Sequence, residues 1–347
     1  MSRRHPTRPP RRWLAGAAAV GLVVMGVSLT VGSLPVGTGA ALGASLDRLP
    51  LLSVHHGLNP TTAAIITEVR LPRVVLAGLV GSVLATAGGA YQATFRNPLA
   101  DPFLLGAAAG AGLGVTIALT GPGRELGSAG VAVTAAAFVG AGGAVALAYG
   151  LGTSAGGRTG ASLILAGVAV AALFSAAQNL LLQRDDEAIR DVYSWLLGRF
   201  NVAGWDEVRL LAPTAVLTVA ALVGSGRRLD VLALGDDEAR ALGVDAARLR
   251  LLVVAAATLA TAAAVAVSGL IGFVGIVVPH AIRLGVGPSY RRILPLAALL
   301  GAPFLGLADL LARTVLAPAE VPIGVITAVI GAPFFLFLLR RSPAGVM

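Results

Sequence analysis

Side chains able to do covalent or metal chemistry are few in this 347-residue chain, and they are scattered. There is no Cys, which removes disulfides, zinc–thiolate sites and thiol nucleophiles. There is no Lys, so all 26 basic residues are Arg. A phosphate loop of the Gly-Lys-Ser/Thr type is therefore impossible, and any ATP hydrolysis of that kind must come from a partner. His55 and His56 lie in a polar stretch and read as solvated, and His280, behind Pro279, reads as structural rather than as a ligand. Of the three Met, two are terminal, so there is no thioether ladder for a soft metal. The run Gly110-Ala-Gly-Leu-Gly114 has the spacing of a dinucleotide loop, but it follows no strand and sits inside an apolar run. No catalytic residue, cofactor or metal site is expected.

What remains is the placement of charge. Arg70 and Arg73 flank Pro72 just ahead of an apolar run, and Arg313 ends a later one, with Asp309 one helical turn before it. By themselves these read as interfacial anchors, with Arg313 paired to Asp309. Residues 226–250 form a charged island between two apolar runs. Within it, Asp236 to Arg240 form a polar helix-forming run ending at Leu242-Gly243, where Gly suits a helix C-cap. The acids at its start and Arg240 near its end suit the helix dipole. This segment is either a solvated connector or a short amphipathic helix fit for a partner's groove. Asn97-Pro98-Leu99 reads as a turn, because Pro98 disfavours helix at Asn97.

The elements that must hold these residues are set by composition. Hydrophobic residues make up 56% of the chain and charged ones only 12%, about half the share of a soluble domain. That excludes a soluble enzyme and a disordered chain. Apolar runs near residues 13–34, 73–93, 103–119, 128–151, 161–182, 208–225, 251–271, 272–284, 293–313 and 322–339 predict a polytopic all-α membrane protein of about ten spans. The short run 272–284, with Gly272, Gly275 and Pro279, needs shelter from lipid by neighbouring helices. A cleaved signal peptide is the competing reading of the first run, but no clear small-residue cleavage site follows it.

With the N-terminus inside, the segments 1–12, 94–102, 152–160, 226–250, 283–292 and 340–347 face the cytoplasm and hold most of the Arg. That agrees with the positive-inside rule and explains the net charge of +9 without nucleic acid. The domain plan is a basic N-terminus (1–12), one transmembrane domain (13–340) and a short cytoplasmic tail (341–347). Glycines within the runs, such as Gly78, Gly81, Gly88, Gly89, Gly140, Gly142 and Gly143, read as close helix packing.

Five stretches, in order, resemble the FecCD/BtuC-like permeases of type II ABC importers. They are Val69-Arg-Leu-Pro-Arg73, the segment from Asn97 to Gly106, the segment from Leu232 to Gly243, the segment from Gly269 to Arg283, and the segment from Glu320 to Phe335. The resemblance implies a BtuC-like fold of ten spans in the bacterial cytoplasmic membrane. It implies a second permease copy, two ATPase subunits and an extracytoplasmic binding protein as partners, and a ferric siderophore, haem or cobalamin as cargo, siderophore being the most frequent. It places binding-protein docking on Arg70, Arg73 and Arg313, and ATPase coupling on Gly235, Asp236, Glu238, Ala239, Arg240, Leu242 and Gly243. The cytoplasmic gate falls on Asn97, Pro98 and Leu99 with Thr159 and Ser162. Those last two are small for a gate. An ion-coupled carrier would need intramembrane carboxylates or His, and Asp309 is the nearest candidate. A membrane-embedded enzyme would need convergent polar groups that the runs lack.

Overall fold

The computed structural model describes residues 11–31, 36–48, 57–121, 129–154, 160–200 and 203–341. Every element among them is helical. In chain order these are α1 (Arg11–Thr30), α2 (Thr38–Asp47), and α3 (Pro60–Ala64), which continues through a π turn (Ile65–Arg70) into α4 (Leu71–Thr94). Then come α5 (Ala107–Thr120), α6 (Ala129–Ser154), α7 (Gly160–Leu182), α8 (Asp186–Leu196) and α9 (Trp205–Gly224). The rest are α10 (Gly226–Leu232), α11 (Asp236–Ala241), α12 (Ala246–Ser268), α13 (Val274–Val286), α14 (Tyr290–Thr314) and α15 (Ile323–Arg341). Among the described residues seven helices are long and apolar enough to cross a membrane, and three shorter apolar ones lie at Ala107–Thr120, Val274–Val286 and Ile323–Leu338. Together they occupy the ten apolar runs.

Helix α4 is the axis of the bundle. It packs against α14, α12, α9 and α13 and is buried along nearly its whole length. The peripheral α6, α7 and α9 turn Val139, Leu165 and Val216 outward. Lipid gives no hydrophobic drive for helix association, so contact depends on close backbone approach. A Cβ on Gly81 would lie 2.2 Å from the Gly301 carbonyl oxygen of α14, and one on Gly88 would lie 2.1 Å from that of Gly275 in α13. Gly140 meets Gly110 of α5 at the same range, whereas Gly142 and Gly143 meet nothing within 4 Å. Packing thus explains Gly81, Gly88 and Gly140, but not Gly142 and Gly143.

Three boundaries differ from the sequence expectation. The second span begins at Pro60 rather than at 73. Pro72 has no N–H to offer the carbonyl four residues back, and the helix absorbs this in the π turn, where the Leu71 N–H donates to the Ile66 carbonyl. Between the fifth and sixth runs lies α8, a strongly amphipathic helix whose N-cap Asp185 accepts from the Ala188 N–H at 3.0 Å. The charged island at 226–250 is two short helices plus the first turn of α12, not one helix in a loop. The split after α12 is as expected. Residues 269–273 break the helix, Phe273 has φ +68°, and Gly275 is sheltered by Gly88, Leu84 and Pro102.

Candidate functional site

One end of the bundle gathers the turn after α4, the segment from α10 to α11 and the turn before α14. Gly235, with φ +145°, precedes α11, and the Glu238 carboxylate folds back over it. Ala239 is fully buried. The helix closes with the Val244 N–H donating to the Ala239 carbonyl at 2.8 Å and the Gly243 N–H to that of Arg240 at 3.0 Å. Gly243 has φ +78°. This is the glycine C-cap expected from the sequence. Arg240 pairs with Asp237 at 2.6 Å and both are exposed, as is Leu242. An exposed pair of this kind contributes only ~0.3–0.5 kcal/mol, so it leaves a polar face open rather than locking the helix.

Asp236 points the other way. It accepts from Arg250, a buried arginine of α12, at 3.0 and 3.2 Å. It also lies 3.4 Å from Arg96 in the turn after α4. Arg96 takes a left-handed φ of +51° immediately before Asn97. The Asn97 side chain accepts from the Leu99 N–H at 2.9 Å, so Asn97-Pro98-Leu99 is an Asx-type turn. The coupling and gate segments named from sequence are therefore in contact, through Arg96. That residue was not among the expected site residues, and its signal was only a charge beside the turn. Farther along, the Asp101 carboxyl accepts from the Phe103 N–H at 2.8 Å. Burial pushes it up to about 6, against that hydrogen bond. Ser162 is half-buried in the first turn of α7. Thr159, His55 and His56 lie outside the described residues.

Asp230 of α10 is a second tie that sequence reading missed. It accepts from the Ser289 hydroxyl at 2.7 Å and from the Tyr290 N–H at 2.5 Å. It thereby caps the N-terminus of α14 from another helix. Behind it, Arg283 donates to the Tyr290 hydroxyl at 2.8 Å.

At the opposite end the three expected arginines do come together, but they are not a free cationic patch. Arg73 makes a bidentate pair with Glu320 at 2.9 Å and also pairs with Asp309 at 2.9 Å. Arg313 pairs with Asp309 at 3.1 Å, the one-turn pair expected from spacing. Asp309 is 1% exposed. Arg70 donates to the Leu29 and Thr30 carbonyls, and Arg313 to those of Ser28 and Val31. Those four carbonyls lie at the C-terminal end of α1, where a helix offers carbonyls to side-chain donors. Arg70 and Arg313 therefore fasten α1 to α4 and α14, and two of the three positive charges are balanced by Asp309 and Glu320. His280 packs edge-on to Phe334 at 6.0 Å, and no cluster able to hold a metal occurs among the described residues.

Among the described residues the bundle is built on ten apolar helices, seven of them long enough to cross a membrane. The chain belongs to the FecCD transport family, whose model matches residues 20–341. It is 40% identical to the cobalamin import system permease protein BtuC of Halobacterium salinarum, over 95% of this chain and 88% of that protein. It is 40% identical to the hemin transport system permease protein HmuU of Yersinia pestis, over 92% of this chain and 94% of that one. With the iron(3+)-hydroxamate import system permease protein FhuB of Bacillus subtilis it shares 38%, over 84% and 75%. A solved inward-facing structure of a metal-chelate type ABC transporter superposes with a TM-score of 0.83 at 31% identity, covering 96% of this chain and all of that one. The chain is a multi-pass permease subunit of a type II ABC importer, a transport component rather than an enzyme.

Proposed function

We propose that the chain imports ferric siderophores across the bacterial cytoplasmic membrane by alternating access, as a homodimer bound to two ATPase subunits and fed by an extracytoplasmic binding protein. The observation that carries this reading is the contact of Asp236 with both Arg250 and Arg96, which joins the exposed helix α11 to the turn after α4. The 226–250 end faces the cytoplasm in this reading, which its Arg content supports. The ATPase grips the exposed side of α11 at Glu238, Arg240 and Leu242, with Gly235 and Gly243 setting its two ends and Ala239 seating it on the bundle. Closure of the ATPase dimer on ATP shifts α11. Arg96 carries that shift into the gate at Asn97, Pro98 and Leu99. At the outer end the binding protein docks on Arg70, Arg73 and Arg313; its acidic residues compete with Glu320 for Arg73, and through the shared Asp309 this loosens the clasp that Arg70 and Arg313 keep on α1.

Cargo is argued from the relatives. Those named for iron(3+)-hydroxamate, Fe(3+)-citrate and siderophores outnumber those named for hemin or cobalamin. The test is uptake of a radiolabelled ferric siderophore into proteoliposomes holding permease, ATPase and binding protein. Accumulation that needs ATP and all three proteins is expected. Accumulation by the permease alone on a proton or sodium gradient would refute the proposal, and cobalamin or haem uptake without siderophore uptake would refute the cargo.

A further inference from the structure

A cavity of about 930 Å³ lies between α6, α9 and α12, away from both the coupling end and the arginine cluster. Helices α6 and α9 both pack on α12 but scarcely on each other, so the cavity is a groove with α12 as its floor. Its floor is apolar, set by Ala263 and Val267. Its mouth is flanked by Val131 and Leu210, which are 75% and 59% exposed. From Gly130 to Phe138 the groove wall runs nine residues along α6, about 12 Å of helix, against about 15 Å for one leaflet's hydrocarbon. Exposed apolar flanks over that length suit the acyl chain of a lipid.

Its rim is charged. Asp191 of α8, Asp206 and Glu207 of α9, and Arg199 all line it. Asp206 also pairs with the exposed Arg209 at 3.1 Å, whereas no ion pair of Arg199 occurs among the described residues. With Arg209 counted, three carboxylates face two guanidinium groups, and that net negative rim favours a headgroup that carries both an ammonium and a phosphate over a purely anionic one. We propose that the groove holds an outer-leaflet glycerophospholipid with a primary-amine headgroup. Its ammonium lies over Asp191 and Asp206, its phosphate on Arg199, and one acyl chain lies along Ala263 and Val267.

The test is native mass spectrometry of the full permease taken from nanodiscs of equal phosphatidylethanolamine and phosphatidylglycerol. Wild type is expected to retain phosphatidylethanolamine selectively. Asp191→Asn with Asp206→Asn should lower the ratio of the two retained lipids about fivefold. Ala263→Phe, which fills the floor, should release both lipids. The Asp→Asn variant alters only exposed groups, and its unchanged melting curve keeps that arm interpretable should Ala263→Phe fail to fold. Equal retention of the two lipids by wild type, a ratio unmoved by Asp→Asn, or displacement of lipid by a soluble ferric siderophore would overturn the proposal.

Discussion

The Asp230 carboxylate of α10 holds the Tyr290 N–H at 2.5 Å, and so closes the N-terminus of α14. A carboxylate at a helix N-terminus gains from both the unpaired N–H groups and the helix dipole. Its consequence is mechanical. Helix α14 runs 25 residues from this cap to the end that carries Asp309 and Arg313, about 37 Å at the rise of an α-helix. This helix, continuous although it holds Pro295 and Pro303, thus begins at the segment proposed to meet the ATPase and ends at the arginine clasp on α1.

The clasp depends on Asp309 more than on any one arginine. It is the single buried carboxylate between Arg73 and Arg313, whose side chains are 11% and 8% exposed. Asp309→Asn leaves two guanidinium groups without that charge, and breaking a buried pair from one side costs about 3–5 kcal/mol. The variant should melt well below wild type in detergent. Glu320→Gln, which removes a 41% exposed partner, should melt within a degree or two of it. Equal losses in the two variants would show that Asp309 is not the keystone.

Gly88→Ala is expected to disrupt the bundle, although alanine is the better helix former. The added Cβ would sit 2.1 Å from the Gly275 oxygen, with backbone on both sides and no flexible side chain to yield. Overpacking of this kind costs about 1–3 kcal/mol or more. Gly142→Ala, which meets nothing within 4 Å, should leave the melting temperature unchanged or slightly raised. The pair of melting curves checks both statements.

Asp101 gives a pH dependence. Burial raises its carboxyl from 3.8 to about 6 in the folded protein. A raised carboxyl pKa means that the folded state binds its proton more tightly than the unfolded state does. The stabilisation is complete below about pH 4 and is lost as pH rises through about 6. Asp101→Asn keeps an acceptor for the Phe103 N–H and abolishes this titration. The variant should therefore gain stability over wild type at pH 7.5 and match it near pH 4, as read by melting curves across that range.

The ten apolar runs and the break at 269–273 were legible because lipid demands long uncharged helices and offers few alternatives. The C-cap at Gly243 was legible because local backbone chemistry decides it. The start of the second span at Pro60 was not, since Pro72 reads as a helix boundary until a π turn accommodates it. Helix α8 was hidden by its polarity, although Asp185-Asp186-Glu187 is a start signal. The outer arginines were found as a set but not as a clasp. Their partners are Glu320 and the end of α1, 247 residues from Arg73 and about 40 from Arg70 in sequence, a separation that spacing along one helix cannot reveal. Arg96 and Asp230 were missed for the same reason, since their roles rest on partners in other helices.

Motion at the helix proposed to face the ATPase reaches the proposed gate and the outer clasp through two ties, Arg96–Asp236 and Asp230–Tyr290. It is tested most directly by the number of cargo molecules moved per ATP hydrolysed, measured in proteoliposomes with both partners present, for wild type and for Arg96→Ala combined with Asp230→Ala. The account predicts an assembled complex that still hydrolyses ATP while cargo moved per ATP falls about tenfold, the size of a ~1.4 kcal/mol coupling loss. An unchanged ratio in an intact complex would contradict it.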